Sequence, residues 1–81
     1  MPYINVTRRH ILDSGKATPD TAGELNYTIT QLCETYRFKH KTSYATFNDI
    51  IGALECAKQE YYRRMIAPYE DTKIIENGDV Y

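Results

Sequence analysis

Thr46-Phe47-Asn48-Asp49-Ile50-Ile51-Gly52-Ala53-Leu54-Glu55-Cys56-Ala57-Lys58-Gln59-Glu60-Tyr61-Tyr62-Arg63-Arg64-Met65-Ile66-Ala67-Pro68 decides the fold class. Within it Phe47, Ile50, Ile51, Leu54, Ala57, Tyr61 and Met65 recur at the close spacing that lines one face of an α-helix. Thr46 with Asp49 three residues on reads as a capping-box-like start. Glu60 and Arg64 stand at i and i+4 in the favourable orientation. Pro68 has no amide proton, and its ring pushes Ala67 away from helical geometry. The spacing therefore predicts a helix over 47–67 that stops or kinks at Pro68. Gly52 either weakens it slightly or permits a close helix contact.

Upstream, Thr21-Ala22-Gly23-Glu24 is a full capping box, in which Thr21 accepts from the Glu24 amide and the Glu24 carboxylate returns to the Thr21 amide. Leu25, Ile29, Leu32 and Tyr36 follow on one stripe with Cys33 beside them, which predicts a helix over 22–39. Pro19, capped by Thr18, is an alternative first-turn residue. Residues 5–14 read as a short helix capped by Asn5 or Thr7 and closed by Gly15. Its apolar residues Val6, Ile11 and Leu12 are too few to hold it unless it docks on the pair of long helices. In the tail, 70–81, Asn77-Gly78 suits either a hairpin turn or the end of a helix from Asp71. A lone hairpin is marginal in water, so a short helix with an extended end is the expectation.

Two long helices and a short connection make an all-α fold, an antiparallel helical hairpin in which Leu25, Ile29, Leu32 and Tyr36 face Phe47, Ile51, Leu54 and Tyr61. The chain has 81 residues and 42% apolar content, which allows one domain with a thin core. Ordering a residue's backbone costs ~1 to 2 kcal/mol and burying an apolar side chain returns ~1.5 to 3 kcal/mol. A two-helix layer barely holds on those terms, so a homo-oligomer is expected.

Composition narrows the function classes. Cys33 and Cys56 are far apart and His10 and His40 stand alone, which gives neither a disulfide framework nor a zinc pattern. The chain shows no apolar run near the ~18 residues that span a membrane and no signal-peptide pattern at its start, so cytoplasmic residence without a membrane partner is expected. Ten Lys plus Arg against eleven Asp plus Glu do not call for nucleic acid. P-loop, dinucleotide-binding glycine and HExxH patterns are missing, and the acidic pairs Asp20/Glu24 and Glu70/Asp71 form no defined cage. The sequence thus predicts no enzyme, no catalytic residue, no metal and no cofactor.

What remains is a binding surface. Eight tyrosines against two phenylalanines and no tryptophan suit rings with one end in water. Tyr61, Tyr62 and Tyr69 interleave with Lys58, Arg63 and Arg64, and Tyr and Arg are the residues enriched at binding hot spots. Tyr61 and Met65 are claimed by the helix stripe. The candidate ligand-binding residues are Lys58, Tyr62, Arg63, Arg64 and Tyr69. Arg37, Lys39, His40 and Lys41 match the negative end of a helix dipole, with a phosphate contact at that helix end as the alternative. His10 has no carboxylate or cysteine at triad or ligand spacing.

Gly23-Glu24-Leu25-Asn26-Tyr27-Thr28-Ile29-Thr30, Asn48-Asp49-Ile50-Ile51-Gly52-Ala53-Leu54-Glu55, Tyr62-Arg63-Arg64, Ala67-Pro68-Tyr69-Glu70-Asp71 and Asn77-Gly78-Asp79-Val80-Tyr81 resemble a family of small tailed-bacteriophage proteins of unknown function. The resemblance runs from Met1-Pro2-Tyr3-Ile4 to the last residue and departs most from the pattern between Thr7 and Thr18. Arg64 to Pro68 is more loosely similar to small helical phage sponges that hold cyclic-nucleotide immune messengers between subunits. The phage resemblance implies source and size more than mechanism. Taken with the sponge similarity and the Tyr–Arg segment, the leading expectation is a non-catalytic phage accessory protein in the host cytoplasm that sequesters a nucleotide-like ligand in counter-defence, a tyrosine stacking on the base and Arg63, Arg64 or Lys58 pairing with phosphate. The alternative is a module that inhibits or recruits a host or phage protein.

Overall fold

The structure, a computed structural model, describes residues 4–81. Met1-Pro2-Tyr3, part of the phage-family resemblance, lies outside the described residues. Helices α1 (Val6–Asp13), α2 (Ala22–His40), α3 (Tyr44–Tyr61) and α4 (Ala67–Asn77) follow one another, with a π-helical turn at Tyr62–Ile66 joining the last two. Among the described residues there is no strand, and the fold is all-α. The chain divides into two compact units, Met1–Thr46 and Phe47–Tyr81.

In the first unit each helix end has a local cause. Asn5 Oδ1 accepts from the Arg8 amide at 2.8 Å, satisfying one orphan donor of α1. Gly15 follows α1 at φ 76°, a backbone that suits glycine. Thr21 Oγ1 accepts from the Glu24 amide at 3.1 Å and starts α2. The return arm of that capping box goes elsewhere, because Glu24 Oε1 accepts from the Asp20 amide at 2.9 Å while the same carboxylate engages Arg8 from α1. The last turn of α2 carries Arg37, Lys39 and His40 against the negative end of the dipole. Arg37 is also held by Glu34 at 2.6 Å and Thr42 at 2.9 Å. Ile4, Leu12 and Tyr27 form the small core.

The α3 boundaries differ from the predicted 47–67. Ser43, rather than Thr46, supplies the hydroxyl at the helix start, accepting from the Thr46 amide at 3.2 Å, so α3 begins at Tyr44. Thr46 is buried and accepts from the Ser43 hydroxyl at 3.1 Å.

Pro68 does not stop the helix. The Ala67 amide bonds to the Tyr62 carbonyl, a five-residue step that widens the turn. In a continuous α-helix Pro68 would leave the Arg64 carbonyl without its donor and press its ring on it. The π turn instead gives α4 a fresh start at Ala67, and Pro68 falls in the first turn, where a missing amide proton costs nothing. The tail is therefore the continuation of α3 through α4. It ends where Gly78, at φ 84°, donates its amide to the Ile74 carbonyl at 2.8 Å.

Burial does not come from the predicted stripes. Leu25, Ile29, Leu32 and Tyr36 are exposed in the first unit, and Phe47, Ile51, Leu54 and Tyr61 are exposed in the second. No residue of the second unit is buried, and only Ile50 and Ala67 reach an intermediate level. A Cβ added at Gly52 meets nothing within 4 Å, so no contact in this chain requires a glycine there.

Candidate functional site

All five candidate residues lie on the helical run of the second unit, and all are exposed. Their environment divides them into two groups. Arg63 and Arg64 both donate to Glu60, through i+3 and i+4 spacing, and the three side chains close into a local cluster. Arg63 also borders a shallow depression of about 290 Å³ with Cys56, Gln59 and Glu60. One carboxylate shared by two guanidiniums leaves a net positive rim, with donors that can still turn to an anion in solvent.

Lys58, Tyr62 and Tyr69 are tied into the helix in other ways. Lys58 Nζ lies 3.3 Å from Glu55, whose carboxyl also accepts from Gln59 at 3.1 Å. The Gln59 hydrogen bond first, and Lys58 second, hold the Glu55 carboxyl below its ordinary range. The Lys73 ammonium sits 5.4 Å above the Tyr69 ring.

Tyr62 donates its hydroxyl to Glu70, eight residues along. In a regular α-helix two turns take about 7.2 residues, so an i+8 partner is rotated away by about 80°. The wide π turn absorbs that excess and returns Glu70 to the face of Tyr62. The hydrogen bond to Glu70 pushes the Tyr62 phenol above its ordinary pKa, and the negative charge of Glu70 adds to it. The backbone irregularity at Pro68 thus places an aromatic side chain and a carboxylate in one row.

The first unit holds a denser polar constellation that sequence reasoning missed. Arg8 makes a two-pronged contact with Glu24, Nε to Oε2 at 3.0 Å and Nη2 to Oε1 at 2.7 Å. Its Nη2 also reaches Asp20 at 3.1 Å and the Thr18 carbonyl at 3.1 Å. Arg8 and the Asp20 amide, both donating to Glu24, lower its pKa. Tyr27 donates to Asp13 at 2.9 to 3.0 Å, and burial followed by that bond raises its phenol pKa. Asp20 and Glu24 are already visible in the sequence as an acidic pair. The cation that matches them, Arg8, lies on another helix and carries no local signal beyond its place after the Asn5 cap. These contacts join α1 to α2 and are structural.

Among the described residues no cluster of His, Cys, Asp and Glu is placed to hold a metal ion, and no helix is long and apolar enough to cross a membrane.

A family model described as a domain of unknown function (DUF6899) matches residues 1–80, and the chain belongs to that family. No curated protein and no solved structure matches it. The family description names neither phage nor sponge, so source and ligand rest on the sequence resemblance alone.

Proposed function

We propose that the protein is a non-catalytic interaction module that docks on another protein chain through the exposed face of the α3–α4 run. One observation carries this reading. Phe47, Ile51, Leu54, Tyr61, Met65 and Tyr69 follow one another along the helical run of the second unit, Phe47–Tyr81, none of whose residues is buried. Isolated helices are marginal in water, and a contiguous apolar row of this length marks an interaction face. Helices recognised in this way present anchors at helical spacing, as these residues do. Tyr and Met supply adaptable contact area, and the charged residues beside them supply a polar rim. The phage resemblance would make the partner a host or phage protein met in the host cytoplasm.

The test is capture by the full-length chain. A stoichiometric protein partner is expected to bind, and Leu54→Asp should abolish binding while preserving helicity by circular dichroism. Capture unchanged by Leu54→Asp would overturn the reading. Sequestration of a nucleotide-like ligand is the second reading, favoured by the depression that Arg63 lines and by the second guanidinium, Arg64, on the same Glu60 carboxylate. Calorimetry against cyclic and linear nucleotides decides for it if saturable binding appears and is lost in Arg63→Ala.

A further inference from the structure

We infer that the chain covering the α3–α4 face is a second copy of the same protein, packed antiparallel and centred on the π turn. This rests on the reading of that face as a docking surface and names its occupant.

The argument starts from a row of four residues. Lys58, Tyr62, Ile66 and Glu70 are spaced four apart in the sequence, the first two at i and i+4 along the helical run, and the bond from Tyr62 to Glu70 shows that the π turn returns Glu70 to the side of Tyr62. From its N-terminal end the row presents a cation, an aromatic ring, an aliphatic side chain and an anion. Reversed, it is complementary to itself. Two copies related by a two-fold axis at Arg64 bring Lys58 of each to Glu70 of the other and Tyr62 of each to Ile66 of the other. Such self-complementarity is what an isologous two-fold interface requires. A parallel, in-register pair would instead set Lys58 against Lys58 and Glu70 against Glu70, which is repulsive.

Area supports the same occupant. Phe47, Ile51, Leu54, Tyr61, Tyr62, Met65, Ile66 and Tyr69 are all exposed large side chains. If each contributes on the order of 100 Å², a copy buries about 800 Å², the per-partner size of a stable interface. The cost of leaving this face open falls on every copy of the chain, and a second copy is always present at equal concentration.

The experiment measures the mass of the full-length chain across concentration by light scattering or sedimentation, with circular dichroism confirming helicity. Twice the 9.4 kDa chain mass is expected. Lys58→Glu and Glu70→Lys should each raise the dimer dissociation constant by about tenfold or more, and the double variant should restore it to within about threefold. A monomer at every concentration would overturn the inference, as would a dimer whose double variant is no tighter than the single ones. The docking reading fails independently, on the Leu54→Asp capture result: a monomeric chain that still captures a protein through Leu54 retains it.

Discussion

Tyr27 and Tyr62 each end a hydrogen bond on a carboxylate, but the two bonds belong to different kinds of structure. Tyr27 is buried and reaches Asp13 on another helix, beside Leu12 in the small core. Tyr62 is exposed and reaches Glu70 along its own helical run. The ion pairs repeat the contrast. Arg8 in the first unit spans 12 and 16 residues to Asp20 and Glu24, whereas Lys58, Arg63, Arg64 and Lys73 in the second reach no further than i+4. Short-range exposed pairs contribute little to stability. The first unit is thus stabilised by contacts within itself, while the second leaves its large apolar side chains exposed and its ion pairs local.

The strongest way to break that comparison is truncation of matched leucines. Leu12→Ala should destabilise the first unit by about 2 to 3 kcal/mol in chemical denaturation, through lost burial and the cavity left behind. Leu54→Ala should cost less than about 1 kcal/mol in dilute chain, since surface substitutions rarely cost more. If the second copy covers this face, the Leu54→Ala cost should grow with protein concentration.

Titration separates the units next. Glu24 is held below its ordinary carboxyl range, so its stabilising effect is complete above that range and disappears as pH falls through the lowered value. Tyr27 is raised, so its effect is complete below the ordinary phenol range and is lost as pH climbs through the raised value. Thermal unfolding should therefore show the first unit weakening at both extremes. Glu24→Gln should remove most of the acid limb.

Two helix ends sharpen the comparison on a smaller scale. Lys41 closes α2 at φ 81° and ψ 140°, and Gly78 closes α4 at φ 84° and ψ 153°. This backbone suits glycine and strains lysine. Lys41→Gly should stabilise the first unit by about 1 kcal/mol, read as a rise in midpoint. Gly52→Ala in the second unit should gain roughly 0.5 to 1 kcal/mol in helix stability, because the added methyl meets open space and alanine favours the helix. A loss instead would mean that another chain approaches Gly52 closely.

Much of the fold was legible wherever its cause was local. Asn5, Thr21, Gly15 and Gly78 mark helix ends through their own side chains or φ preferences, and the stripes mark the long helices. Ser43 was missed as the start of α3 because Thr46, three residues later, offers an equally good hydroxyl; burial of Thr46 in the first unit decides between them. The candidate residues were found as a segment. The Glu60–Arg64 pair was readable from its i+4 spacing, whereas the alignment of Tyr62 with Glu70 was not, since it depends on the phase of the helix after Pro68.

The sequence by itself determined the all-α class, the positions of the long helices and the Tyr–Arg segment, because hydrophobic period, capping and glycine geometry act over a few residues. Tertiary structure decided which carboxylate Arg8 takes, which tyrosine is buried and which stripes stay exposed, because those outcomes turn on groups far apart in the chain competing for the same partner. The π turn lies between the two. Proline supplies its local reason, but the choice to widen the turn and continue, rather than stop, is settled by the helical segments on both sides and is seen only in the folded chain.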